Sequence, residues 1–506
     1  MSWHPISLPY LGVVTVVAFG VLARTASAQQ GVGDFTGHGD VGTVTRPGSA
    51  SYDSTTGVYQ LSGSGANVWA ARDAFHYAWR KMKGDFILTA RGQLVGKGVD
   101  PHRKFGWMIR SSLDSAAVHA TASVHGDGLV SLQFRKTPGG QTEQVESPVK
   151  GADVVQLERR GGTYIMSVAK YGDTLSSVQA TDIPLGDDVY VGLYLTAHND
   201  TVTERATLSD VRITVPVRTG FVPYREYIGS NVEIMEVATG RRRIVYRSTG
   251  SVQAPNWTRD GKALIWNQDG KLYRFDLKTG QPTQINTGIR IRNNNDHVLS
   301  FDGKRLAISD QSDSASRNQS VVYVVPTEGG TPRRVTPLFP SYLHGWSPDD
   351  KQLVYTGIRD TKIDIYRIPV EGGTETRLTA VAMNDGPEYA LDGRIYFNST
   401  RSGKMQIWRM NGDGSAPTQL TDDTFNNWFP HVSPDQRTIL YIAFPPDINP
   451  TDHPWYKHVT LRSMPVGGGA TPKVLAYLYG GQGTINVPSW SPDSRFVAFV
   501  SNSDKY

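Results

Sequence analysis

From about Phe35 to Val215, apolar and polar residues alternate in short runs separated by Gly, Asp and Pro. A period of two is what a strand with one buried face requires, whereas an amphipathic helix would repeat near 3.6. The clearest runs are Asp85 to Leu94, Phe105 to Arg110, His119 to His125, Leu129 to Lys136, Tyr164 to Lys170 and Val189 to Thr196. Between the third and fourth, Gly126-Asp127-Gly128 predicts a hairpin, because Asp-Gly supplies the positive φ that a tight turn needs. Residues 31–218 are therefore expected to form an antiparallel β-sandwich.

A short linker, Thr219 to Arg225, leads into a different pattern. The unit reads Pro-x-Trp-Ser-Pro-Asp-Gly, then a strand, a polar turn, a second strand ending near Gly-Gly, and a third ending in Leu-Thr. Its six copies carry turn aspartates at Asp260, Asp302, Asp349, Asp392, Asp435 and Asp493, with gaps of 42, 47, 43, 43 and 58 residues. Such a period fits one four-stranded blade per copy and predicts a six-bladed β-propeller over residues 226–506. The sixth copy holds only two strands. Its sheet is expected to borrow the hairpin Glu233 to Val237 and Arg242 to Arg247, which precedes the first repeat and would otherwise leave two edges exposed. The fold class is all-β, a sandwich followed by a propeller closed by an N-terminal strand pair.

Two resemblances sharpen this reading. The segments SGSGANVW, MKGDFILTA, GWMIRSSLD and HGDGLVSLQFR make residues 31–218 similar to concanavalin or laminin-G-like jelly rolls. That likeness implies a concave sheet able to hold a sugar or a protein, with Trp69, Trp79, Trp107, Arg110, His125, Gln133 and Arg135 as its contacts; the same tryptophans also suit a core, with solvated arginines. The segments MQIWRMNGDGSAPTQLTDD, FPHVSPDQRTILYIAF and VPSWSPDSRFVAFVS resemble the TolB-like periplasmic propellers. The extra domain in front separates this chain from TolB itself, so the envelope role of TolB does not transfer automatically.

Composition agrees with short strands and tight turns: 52 Gly, 29 Pro and many aromatics. The net charge of +5 is dispersed, and the one basic run, Arg241 to Arg243, reads as a solvated outer edge, so no nucleic-acid partner is expected. Leu11 to Ala23 followed by Ala26-Ser27-Ala28 reads as an export signal over residues 1–28, with a retained anchor as the alternative. Export implies a periplasmic or secreted protein with no membrane insertion after cleavage. With no cysteine, packing alone must hold it together.

Strand order locates the candidate site. In an up-and-down blade, the entry into the innermost strand and the loop between the second and third strands share one face and frame the channel mouth. Seven and eight places before each turn aspartate stand Gln253 and Val252, Asn295 and Asn294, Tyr342 and Ser341, Asp385 and Asn384, Trp428 and Asn427, and Asn486 and Ile485. The fifth blade adds an insertion, Pro445 to His458, with His453, Trp455, Tyr456 and His458. The expected ligand-binding residues are Asn295, Asp296, His297, His344, Asn384, Asp385, Glu388, Asn427, Trp428, His431, Trp455 and Asn486. Asparagines before a strand can instead serve turns.

The leading expectation is a binding or scaffold protein that engages a glycan or an envelope protein at this mouth, without a cofactor or an assigned metal. The alternative is a carbohydrate-active enzyme, either metal-assisted through His297, His344 and His431 or using a carboxylate pair from Asp296, Asp385 and Glu388. Register argues against the imidazole cluster, since His431 is one place out of step with the other two. A serine hydrolase is not expected, because no G-x-S-x-G elbow occurs.

Overall fold

The strand Phe86–Leu94 shows how alternation builds this molecule. Phe86, Leu88 and Ala90 face the core of the first domain, while Ile87 packs with Ile228, Trp455, Tyr456 and Tyr479 of the linker and propeller. One strand thus serves a core with one face and a domain boundary with the other. The computed structural model describes residues 1–2 and 31–504, so the proposed leader falls essentially outside the described residues.

The first domain consists of two seven-stranded antiparallel sheets. One runs Gly37–Val41, Phe75–Met82, Val189–Thr196, Lys104–Arg110, His119–His125, Val130–Arg135 and Glu143–Glu146. The other runs Ser176–Ala180, Thr163–Ala169, Val154–Arg160, Phe86–Leu94, Glu204–Thr214, Val58–Gly63 and Ser49–Asp53. Trp107 and Ile109 of the first sheet meet Leu88 and Leu157 of the second in a single apolar core. The predicted hairpin joins His119–His125 to Val130–Arg135, with Gly128 at φ +89°.

The second domain is a six-bladed propeller of five four-stranded sheets and one three-stranded sheet. In the last sheet Gly229–Glu236 lies between Arg242–Ser248 and Phe496–Ser503, so the early hairpin does complete the ring. The innermost element of that blade is reduced to a bridge between Trp490 and Val497. Among the described residues no helix is long and apolar enough to cross a membrane.

The two domains are fastened together by hydrogen bonds and buried charge. Tyr171 and Tyr477 exchange hydroxyl bonds with the opposite domain, to the Leu475 carbonyl at 3.0 Å and the Asp173 carbonyl at 2.5 Å. Glu233 of the closing hairpin meets Arg212 at 2.6 Å and accepts from the Ser501 hydroxyl at 2.6 Å. Burial alone would raise the Glu233 carboxyl, but the Arg212 and Arg242 guanidiniums outweigh it and hold the group down at about 2. The arginine run is not the uniformly solvated edge that the sequence suggests. Arg241 and Arg243 are exposed, whereas Arg242 turns inward beside Glu233, because alternation sends the middle residue to the opposite face.

Candidate functional site

Each of the five complete inner strands breaks its register soon after leaving the mouth. The shifts fall between Gln253 and Asn256, Asn293 and His297, Leu343 and Gly345, Asp385 and Glu388, and Trp428 and His431. A bulge adds a residue to one strand and re-aims the side chains around it. Gly386 shows why such a turn needs glycine. At φ +59°, a Cβ there would stand 2.6 Å from the Asn398 Oδ1 and 2.9 Å from the Phe429 ring.

The mouth opens into a cavity of about 710 Å³. Of the ring seven places before the turn aspartates, Gln253, Asn295, Tyr342, Asp385 and Asn486 line it. The sixth place departs from this. In the fifth blade Phe429, at φ +54°, lines the cavity, and Trp428 is fully buried in the apolar core beneath. In the ring one place earlier, only Asn294 reaches the cavity. Asn384 donates to the Val381 carbonyl at 3.0 Å and Asn427 to the Gln406 Oε1 at 3.1 Å, so both hold loops in place.

Asp296, His344 and Trp455 join Asn295, Asp385 and Asn486 on the cavity wall, and the other six expected residues do not line it. His297 is buried with its Nε2 3.1 Å from the Ile265 carbonyl. His431 and Glu388 bond each other at 2.5 Å, and Glu388 lines a separate groove with Arg259, Trp346 and Trp490. The three imidazoles do not gather around one point, and among the described residues no group of three or more His, Asp or Glu side chains is arranged to hold a metal ion.

Asp385 organises the floor. Its Oδ1 accepts from the Thr356 hydroxyl and from the Gly386 N–H, both at 2.7 Å. His344 Nε2 stands 3.4 Å from the same oxygen, and His453 Nε2, carried by the fifth-blade insertion, stands 3.7 Å from Oδ2. Burial pushes the Asp385 carboxyl up, but bonding and charge from His344, then His453 and Thr356, bring it down to about 2. Burial likewise works against protonation of His344, and Asp385 with Asp296 reverses this and raises it. Asp296 goes the other way: burial, aided by the nearby Asp385 charge, lifts its carboxyl to about 7 despite His344. Burial and neighbours thus drive two carboxyls of one cavity apart, Asp385 remaining ionised while Asp296 titrates near neutrality.

The side-chain amide of Asn295 makes no hydrogen bond among the described residues, although the residue is only 4% exposed. The buried Nδ1 of His453 and Nε1 of Trp455 also lack partners. Buried polar groups are normally satisfied, so those two atoms are exceptions in the wall, while the Asn295 amide faces the cavity and is open to a ligand or water. Several lining residues were not anticipated. Asn267 stands near the end of a second strand and Asp269 and Gln311 follow second strands, positions that the blade geometry already assigned to this face. Tyr224 and Tyr227 come from the linker, which in the structure runs over residues 215–228 between Glu204–Thr214 and Gly229–Glu236, and for which the repeat offered no signal.

The concave-sheet set of the first domain has a different fate. Arg110 and Arg135 are fully buried and pair with Asp73 at 3.4 and 2.7 Å, beneath the segment that carries Trp69. Trp107 lies in the core, Trp79, His125 and Gln133 are buried, and only Trp69 is exposed. The arginines are neither solvated nor free to hold a sugar; they are spent on a buried carboxylate.

Comparison with known proteins supports the second domain. The model of the TolB β-propeller domain matches residues 340–449. An uncharacterized protein of Agrobacterium fabrum, Atu1656, is 44% identical over 274 residues, which is 54% of this chain and 92% of that protein. The structure of a TolB-like protein from Agrobacterium tumefaciens superposes with a TM-score of 0.53 at 42% identity, covering 55% of this chain and all of the other. TolB from Acinetobacter baumannii is more remote, at 16% identity and a TM-score of 0.40, over 65% of this chain and 80% of that one.

Proposed function

Because the chain belongs to the TolB β-propeller family, we propose that it is a periplasmic or secreted binding protein whose propeller mouth holds the end of a glycan. The observation that carries this reading is the unpartnered amide of Asn295, set in a cavity rich in amides and aromatic rings. A side-chain amide donates through its NH2 and accepts through its oxygen, which suits neighbouring sugar hydroxyls, and aromatic rings stack on the apolar faces of pyranoses. A deep concavity suits a chain end better than the broad face of an envelope protein. In this reading the first domain is a jelly roll that buttresses the mouth rather than binding sugar itself, since its arginines are already paired. A glycan-array screen of the mature chain, with and without divalent metal, tests the proposal. Saturable binding that Asn295→Ala weakens supports it, and no binding above background refutes it.

One observation favours a second reading. Asp296, raised to about 7 and so still largely protonated in mild acid, and Asp385, ionised, share the cavity as an acid and a carboxylate base would in glycoside hydrolysis. Release of reducing ends from array-positive glycans, abolished by Asp385→Asn, would move the protein into that class.

A further inference from the structure

The interdomain linker does more than connect. Tyr224 and Tyr227 line the propeller cavity and are 61% and 46% exposed, unusual for tyrosines held beside a pocket. Tyr227 stands edge-on to Trp455 of the fifth-blade insertion, with ring centroids 5.5 Å apart and planes at 85°. Trp455 itself is buried, and its indole N–H has no partner. The two tyrosine rings therefore present aromatic surface at the rim, with Trp455 packed behind Tyr227, above the amides and carboxyls of the floor.

The rim is fixed in place. The Ile228 N–H donates to the Tyr456 hydroxyl at 3.2 Å, Phe221 packs edge-on against Tyr456 at 5.4 Å, and Arg218 pairs with Glu226 at 2.8 Å. Tyr224 sits at φ +65°, a left-handed conformation that a bulky residue adopts only when its surroundings impose it. Gly483, at φ +84°, lets the facing loop pass beneath: a Cβ there would come within 2.9 Å of the Trp455 ring. Exposed aromatic rings on a braced support lose little conformational freedom on binding, which favours stacking.

We propose that Tyr224 and Tyr227, braced by Trp455, form an outer saccharide subsite, which receives the second and third sugar units of a neutral chain whose terminal unit occupies the Asn295 floor. Neutrality follows from balanced charge: on the floor the Asp385 carboxylate faces His344 and His453, and on the wall the Arg292 guanidinium is accompanied by the Asp269 carboxylate. The inference rests on the glycan reading of the mouth. It adds a chain-length requirement supplied by the linker.

The test uses the full mature chain and a length series of neutral cello-, malto- and chito-oligosaccharides, from monosaccharide to hexamer, measured by calorimetry. For the series that binds, affinity should rise from one to three units and then level off. Tyr224→Ala with Tyr227→Ala should weaken the trimer about tenfold and leave the monosaccharide unchanged, while the corresponding double Phe variant keeps the rise. Both tyrosines are exposed, so the fold should persist, and an unchanged melting transition checks this. If the wild-type chain binds the trimer and the double Ala variant binds it equally well, the outer subsite is overturned and the mouth stands. If the wild-type chain binds none of the three series, the glycan reading fails and the subsite fails with it.

Discussion

Glu233 of the propeller and Arg212 of the first domain meet at 2.6 Å across the domain boundary, with the Glu233 side chain fully buried and Arg212 17% exposed. The pair ties the hairpin that closes the sixth blade to the strand Glu204–Thr214. Domain docking and ring closure therefore share one ion pair.

Glu233→Gln is expected to cost about 3 kcal/mol or more, because it leaves two arginines near a neutral amide in a dry site. Chemical denaturation would read the loss, and limited proteolysis should show the linker 216–228 opening first. The acid dependence follows from the lowered carboxyl. Its stabilisation is fully present above the unfolded value near 4.5 and disappears as pH falls towards about 2.

Asp296 gives the opposite sign. Its folded value of about 7 lies above the ordinary aspartate value of 3.8, so the folded protein holds a proton that the unfolded chain has released between those limits. Stability from this group falls as pH rises from about 4 to about 7. Asp296→Asn should remove that slope and raise stability at pH 8 by about 2 kcal/mol. Melting curves across this range, wild type against variant, check the sign.

Trp428→Ala is expected to destabilise the protein by about 3 to 5 kcal/mol, since the indole is fully buried in the fifth-blade core. Asn295→Ala should cost less than about 1 kcal/mol, because no protein partner is left behind, yet weaken glycan binding about tenfold. Denaturation midpoints and calorimetric affinities measured on both variants separate a core residue from a contact residue.

Asp73→Asn should destabilise the first domain by about 3 kcal/mol or more, because Arg110 and Arg135 would remain buried without a counter-charge. Glycan affinity of the protein that stays folded should not change. A loss of affinity in that fraction would return the concave sheet to consideration as a sugar site.

Blade number and closure were legible because both depend on repeats and on the cost of open edges: the turn aspartates count the blades, and the orphan hairpin before the first repeat had one place to go. Counting back seven residues found Gln253, Asn295, Tyr342, Asp385 and Asn486, since an inner strand enters each blade at a fixed distance from its turn. It failed at Trp428 because alternation cannot anticipate a bulge whose extra residue gives the position to Phe429. The His344, Asp385 and His453 arrangement spans three blades, and Tyr224 and Tyr227 belong to no repeat. Contacts made only after the ring has closed leave no local pattern.

The sheet formed by Arg242–Ser248, Gly229–Glu236 and Phe496–Ser503 sets a timetable for the chain. Residues near 230 cannot find their final neighbours until those near 500 have been synthesised, so a nascent chain must keep an open ring of apolar strand edges for most of its length. A protein wired this way gains from being kept away from other chains until its last strand is made, since the same open edges would pair with a neighbour's.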